Sequence, residues 1–198
     1  MKTKTKTFDL SKNYHVIVDT SFIVFCAAAS AFKEYVYQND IPKSDLSPDF
    51  DPTVDPEFNE ILTERFISRI TTPIKVQIPF SFDKSKFIFT IDCPRAKIWR
   101  RDFYPEYKLN RDTINHDKDQ FNLGKVFQYV YSNVIPNFCN ETGSVFIKSE
   151  CAESDDIIAV LTEKLCNESK DNVVIILSSD RDMVQLCNDQ VIVVSRSK

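Results

Sequence analysis

The chain has 198 residues, 42% of them apolar and 27% charged, enough for one domain of ordinary size with a continuous core. Its net charge of −4 argues against a general nucleic-acid-coating protein, whose affinity for a polyanion comes from excess Lys and Arg. Glycine occurs only at Gly124 and Gly143, which excludes a Walker-type phosphate loop, a Gly-x-Gly-x-x-Gly dinucleotide turn and a Gly-x-Ser-x-Gly nucleophile elbow.

The charged start, "MKTKTKTFDLSK", reads as a flexible tail over residues 1–12. "YHVIVD" (Tyr14 to Asp19) is β-branched and apolar and predicts a buried strand ending on an acid. The next segment, to about Gln38, carries Phe22, Phe25, Ala29, Phe32 and Val36 at spacings of three and four, which predicts a helix with those residues inward. Its apolar part, Thr20 to Phe32, is too short to span a bilayer, and the strand and Asp19 before it spoil a secretory signal, so we expect an intracellular protein of cytoplasm or nucleus, with no membrane. Residues 39–56 hold four prolines and many aspartates and read as a solvated loop or insertion.

"PEFNEILTERFISRI" has helical periodicity through Phe58, Ile61, Leu62, Phe66 and Ile70. "KFIFTID" (Lys86 to Asp92) is a second strand ending on an acid. A segment over 95–120 then interleaves basic and aromatic residues with no apolar face. "FNLGKVFQYVYSNVI" predicts a helix and "SVFIK" (Ser144 to Lys148) a third strand. A helix from about Ser154, a strand from Asn172 to Ser178, a short helix from Asp180 and a strand from Val191 to Ser195 complete the chain. The six cysteines form no Cys-x-x-Cys pair and read as buried free thiols in a reducing compartment.

Strands alternating with helices predict an α/β fold with a mostly parallel central sheet flanked by helices, and its functional crevice at the carboxyl ends of the strands. Asp19, Asp92, Asp180 and Asp182 lie at or just past such ends, and Glu153, Asp155 and Asp156 follow the third strand. We therefore expect these acids to converge. Grouped carboxylates repel unless a cation is bound or some stay protonated. Hard oxygen donors without His or Cys select Mg²⁺ or Mn²⁺, and more than four of them suit two ions, which is nuclease chemistry.

Each cluster has a plainer explanation. Acids in a first helical turn are favoured by the macrodipole, typically by about 0.3–1 kcal/mol, and Ser179 to Asp182 fits a capping box. Coincidence at one end of one sheet favours a shared cause over separate caps. In the basic segment Arg95, Lys97, Arg100, Arg101, Lys108 and Arg111 suit phosphate, and Trp99, Phe103, Tyr104 and Tyr107 offer faces for unpaired bases, against the alternative of a charged loop anchored by aromatics. A helix from Arg100 would align Tyr104, Tyr107, Lys108 and Arg111, but Pro105 predicts a break. His15 and His116 are not expected to be catalytic.

"VIVDTS", "FTIDCPRAKIWRRDFYPEYKLNRD", "ECAESDDIIAVL" and "ILSSDRDMVQLCNDQVIVV" together resemble the 5′ nuclease family: flap endonucleases, phage-type 5′-3′ exonucleases and the 5′ nuclease domain of DNA polymerase I, with a PIN-like fold. The resemblance implies one PIN-like catalytic domain over 1–198, with an insertion at 39–56 and an arch-like basic segment at 95–120. It implies metal-binding roles for Asp19, Asp92, Glu153, Asp155, Asp156, Asp180 and Asp182, scissile-phosphate contacts from Arg100 and Lys108, and further nucleic-acid contacts from Arg101, Tyr107 and Arg111. It implies a 5′-3′ exodeoxyribonuclease or flap endonuclease with Mg²⁺ or Mn²⁺, two ions, acting on DNA with a free 5′ end or flap, RNA being the alternative substrate. The family continues with a glycine-rich helix-hairpin-helix region that grips duplex and donates further aspartates, whereas this sequence stops at Lys198. Three expectations follow: that the sequence is a fragment, that a partner supplies duplex binding, or, in a different class, that activity is reduced or lost and the chain is a non-catalytic nucleic-acid-binding accessory protein. In the family a small residue and Asn commonly follow the first Asp; here Thr20, Ser21 and Phe22 stand there.

Overall fold

A computed structural model describes residues 11–77, 87–111 and 119–194. Five strands, β1 (Asn13–Asp19), β2 (Phe87–Ile91), β3 (Val145–Lys148), β4 (Asn172–Leu177) and β5 (Val191–Val194), form one sheet in the order β3-β2-β1-β4-β5. Every pairing is parallel, with Val18 opposite Phe89 and Leu177, so the expected α/β class holds. The helices are α1 (Thr20–Gln38), α2 (Pro56–Gln77), α3 (Arg100–Phe103), α4 (Leu123–Tyr129), α5 (Ile135–Thr142) and α6 (Ser154–Glu168). Five residues in a wide π-turn, Val130–Val134, join α4 to α5.

The period-two alternation of a strand sends neighbouring side chains to opposite faces. Val16, Val18, Phe87, Phe89, Ile175 and Leu177 enter a large core under α1, α2, α4 and α5, which add Phe32, Phe58, Phe66, Ile70 and Phe138. Ile17, Val174 and Ile176 point the other way, onto Ile158 of α6 and Met183. Order β3-β2-β1-β4-β5 reverses direction at β1, so the crevice of the sheet opens past the carboxyl ends of β1, β2 and β4.

Several expectations need correction. The buried face of α1 is Ile23, Val24, Ala27, Ala28, Ala31, Phe32 and Tyr35; Phe22 and Phe25 are exposed, at 37% and 53%. The helix is apolar almost all round, so spacing alone admits more than one face. Packing selects the alanine side, which lets neighbouring elements approach closely. Residues 39–56 are not a free loop: Ile41, Leu46 and Phe50 pack against the core, Pro52 is buried, and the Phe50 carbonyl accepts the Asn122 N–H at 2.7 Å. The helix expected to end near Ile135 continues to Thr142 and stops at Gly143, whose φ of 74° is the left-handed C-cap conformation. Of the thiols, Cys93 is buried, whereas Cys151 and Cys187 are exposed.

The break expected at Pro105 is present: α3 ends at Phe103, and a turn leads to Lys108 at φ 53°. Lys12, assigned to the tail, bonds Asp171 at 2.5 Å, while residues 1–10, Lys86, the 112–118 part of the basic segment with His116, and Ser195 lie outside the described residues. Among the described residues no helix is long and apolar enough to cross a membrane.

Candidate metal centre

Four chain segments end at the same place. Asp19 closes β1, Asp92 follows β2, Glu153 and Asp155 stand at the start of α6, and Asp180 follows β4. Asp19, Asp92, Glu153, Asp155 and Asp180 line one cleft of about 310 Å³, together with Ser21, Phe22, Ser154, Ser179 and Lys108. The strands deliver their carboxylates to one edge because the sheet is parallel throughout, and α6 adds its own because it starts where β3 ends.

Asp19 and Asp92 are held by donated hydrogen bonds. Asp19 is 8% exposed, and its Oδ2 accepts the Ser178 hydroxyl at 2.7 Å. Asp92 Oδ1 accepts the Ser154 N–H at 2.7 Å and Oδ2 the Ser21 hydroxyl at 2.5 Å. Ser154 is fixed from behind, since its hydroxyl is paired with Thr90, whose own hydroxyl also bonds the Val18 carbonyl. Buried polar groups satisfied in this way rigidify the edge of the sheet.

The electrostatics are unbalanced in one direction. Burial pushes the Asp155 carboxyl up to about 6, with the charges of Asp19, Asp180 and Asp92 adding and Lys108 opposing. Burial raises Asp19 as well; Ser178 opposes, and Asp92 and Asp180 add to the rise. Both groups are under pressure to take up a proton or a cation.

The first turn of α6 divides its acids. Glu153 is clamped by Lys108 Nζ at 2.7 Å and by Arg100 at 3.2 Å. Asp156 is turned away from the cleft and taken by Arg100 as a two-pronged pair at 2.8 and 2.5 Å, with Trp99 Nε1 donating at 3.0 Å. Burial opposes its ionisation, yet these donors and the Glu153 N–H hold Asp156 below the ordinary carboxylate range. Asp156 Oδ2 thus also caps α6, accepting the Glu153 N–H at 3.1 Å. Asp182 stands in the turn after β4, where its N–H donates to Asp180 Oδ1 at 2.9 Å; the cap is Asp180 and not Ser179 as the sequence suggests. Neither Asp156 nor Asp182 lines the cleft.

The cations form a second layer. The Arg100 guanidinium lies 4.8 Å from the Trp99 ring and 5.6 Å from that of Tyr107, and Lys108 Nζ lies 5.1 Å from Tyr107. Arg101 Nε donates to the Tyr107 carbonyl at 3.2 Å, bracing the turn that delivers Lys108. Burial alone would lower Lys108, but Glu153 and Tyr107 outweigh it and hold the ammonium above its ordinary value. Arg111 closes a short 3-10 turn after Lys108.

Among the described residues no three carboxylate, imidazole or thiol donors stand as a ready-made cage for one ion. The cleft is instead room for several waters walled by hard oxygen donors, which suits a cation that keeps part of its hydration, as Mg²⁺ does. Asp19, Asp92, Asp155 and Asp180, with Glu153 if Lys108 releases it, are the residues able to hold such an ion. Sequence reasoning missed the hydroxyls behind them, Ser21 and Ser178, and Tyr131, whose hydroxyl stands 3.1 Å from Ser21 Oγ. Ser21 and Ser178 flank Asp19 and Asp180 closely, which was a usable signal; Tyr131 carried none.

The fold and site thus define a parallel α/β domain with an acidic cleft at the switch point of its sheet and an arginine-lysine layer beside it. The chain belongs to the family of 5′-3′ exonuclease N-terminal resolvase-like domains, whose model matches residues 66–198, more than half of its length. It is similar to the 5′-3′ exonuclease of Buchnera aphidicola subsp. Schizaphis graminum (strain Sg), with 30% identity over 118 residues, 60% of this chain and 37% of that one. Its fold resembles T5 D15 protein co-crystallised with metal ions, at a TM-score of 0.53 and 18% identity, covering 92% of this chain and 54% of that one. T5 5′-exonuclease with bound zinc ions aligns equally, at a TM-score of 0.53 and 17% identity, over 92% and 55% of the two chains. The chain thus spans about half the length of these structures and less of the curated relative.

Proposed function

We propose that this chain carries the catalytic centre of a divalent-cation-dependent 5′ nuclease, hydrolysing DNA phosphodiesters near a free 5′ end or flap by a two-metal route, inside the cell. The observation that carries the proposal is the gathering of Asp19, Asp92, Asp155 and Asp180 around one cleft with Lys108 at its rim. Bound Mg²⁺ or Mn²⁺ would neutralise these charges and supply the Lewis acidity that activates water and stabilises the leaving oxygen. The chain's own residues do the rest. The hydroxyls of Ser21 and Ser178 donate to Asp92 and Asp19 and orient them. Lys108, and Arg100 once it swings from Asp156, bind and orient the scissile phosphate, and Tyr107 keeps both cations in place. Arg101 braces that turn, and Arg111 is a further contact to the nucleic acid in this reading. In the proposal Asp156 and Asp182 serve the ions from behind the cleft, through Arg100 and Asp180.

End-labelled 5′-flap, single-stranded DNA and RNA substrates, incubated with Mn²⁺ or with chelator, test this reading. We expect Mn²⁺-dependent cleavage from the 5′ side that disappears in Asp180→Asn. Cleavage unchanged in that variant, or no cleavage under any metal, contradicts it. The capture of Glu153 and Asp156 by the protein's own cations favours one other reading, a non-catalytic strand-binding protein. Salt-sensitive strand binding that survives Asp180→Asn, with no cleavage by the unmutated chain, would select it.

A further inference from the structure

Tyr131 lies far in sequence from every acid of the cleft and does not line it. It sits in the wide turn Val130–Val134, closed by the Ile135 N–H bonding the Val130 carbonyl five residues back. Such turns are uncommon inside helices and are often found at functional sites. Here the local cause is visible: Pro136 has no N–H for the Ser132 carbonyl, and its ring would collide with that carbonyl in a regular helix. The extra residue leaves Val130, Val134 and Ile135 in the core while turning Tyr131 toward the carboxyl edge of the sheet. Phe127 supports its ring edge-on at 5.7 Å.

The proton count along the resulting chain has one solution. Asp92 Oδ2 accepts the Ser21 hydroxyl at 2.5 Å. Ser21 has a single hydroxyl proton, already committed. At 3.1 Å the Tyr131 hydroxyl must therefore donate to Ser21 Oγ. The chain runs Tyr131 to Ser21 to Asp92, every donor pointing toward the cleft.

We propose that Tyr131 is a positioning residue for the acidic centre: its hydroxyl orients Ser21, and through Ser21 it fixes Asp92 with its remaining lone pairs toward the cation. The consequence for cation binding rests on the reading of the cleft given under Proposed function; the relay itself does not. Burial raises Tyr131 to about 12, with Asp92 and Asp19 adding, so the hydroxyl keeps its proton across the working pH range. Partners behind a metal ligand typically contribute roughly 10–100-fold in affinity, and one acting through an intervening hydroxyl belongs at the lower end, about tenfold.

The test is a double-mutant cycle on the full chain. Mn²⁺ dissociation constants are measured by the electron paramagnetic resonance of free Mn²⁺ for the unmutated chain, Tyr131→Phe, Ser21→Ala and the double variant. Tyr131→Phe keeps the ring and its contact with Phe127, so the fold is retained. We expect about a tenfold weaker constant in Tyr131→Phe and no further loss when it is added to Ser21→Ala, a non-additivity that a merely structural role would not produce. A constant unchanged in Tyr131→Phe, or an equal loss in the Ser21→Ala background, overturns the relay. A chain that binds no Mn²⁺ counts against the proposed function alone. The relay is then judged in metal-free protein by nuclear magnetic resonance. A slowly exchanging Tyr131 hydroxyl proton that is lost in Ser21→Ala supports it, and equally fast exchange in both proteins overturns it.

Discussion

Asp155→Asn should make the metal-free protein more stable at neutral pH. Asp155 rises from its ordinary 3.8 to about 6 because burial and the charges of Asp19, Asp180 and Asp92 disfavour its ionised form, Lys108 opposing in part. Below pH 3.8 the carboxyl is protonated in both the folded and the unfolded chain and contributes nothing. As pH rises toward 6 the unfolded chain ionises first, so the folded state binds more protons and loses stability; above about 6 the whole penalty is in place. Discounted for solvent screening at this half-buried site, a shift of this size corresponds to about 1–2 kcal/mol. For a domain of this length that is roughly 2–8 °C in melting temperature. The assay is thermal unfolding of both proteins in chelator at pH 4.5 and 7.5, where terms common to the two cancel. We expect Asp155→Asn to melt several degrees higher at pH 7.5 and by only about a third of that margin at pH 4.5, and saturating Mn²⁺ to close or reverse the gap by stabilising only the unmutated chain strongly. A gap that is the same at both pH values, or an Asn variant less stable at pH 7.5, would refute the electrostatic reasoning.

Two further outcomes follow from named contacts. Arg100→Lys cannot reproduce the two-pronged pair with Asp156, so we expect a loss of about 1–2 kcal/mol in urea unfolding at pH 7. Asp156 is held below its ordinary value of 3.8, so this loss should persist at neutral pH and vanish as pH falls through the folded-state value; a loss independent of pH contradicts the pairing. Gly143→Ala places a side chain at φ 74° and should destabilise by about 1–2 kcal/mol without altering the cleft, a result checked by urea unfolding alongside Mn²⁺ titration.

The strands and their order of occurrence are legible in the sequence because parallel strands buried on both faces read as unbroken apolar runs, such as "VVIIL" in β4. The convergence of Asp19, Asp92 and Asp180 is legible for the same reason: each sits at or just past the end of such a run, and a parallel sheet has only one carboxyl edge, at which α6 starts and adds Asp155. What the pattern does not carry is side-chain direction within a turn. "ESDD" presents its acids without saying that Asp155 faces the cleft while Asp156 is spent on Arg100 and Trp99. The α1 face was misread because "FIVFCAAASAF" offers apolar residues at every angle, and only packing decides that Phe22 and Phe25 stay out. The 39–56 segment looked solvated because Phe50 and Leu46 are few among aspartates and prolines, and their burial depends on a groove built by distant elements. Tyr131 was invisible because its role arises from a π-turn, and only Pro136 hints at that irregularity.

The central claim is that carboxylates far apart in the chain meet in one cleft to hold a hard divalent cation. Crystals grown with Mn²⁺, measured at the manganese absorption edge, test it most directly. We predict an anomalous peak in the cleft within bonding distance of oxygens from at least two of Asp19, Asp92, Asp155 and Asp180. A map with no peak there at saturating Mn²⁺, while those carboxylates point apart into solvent, would contradict it.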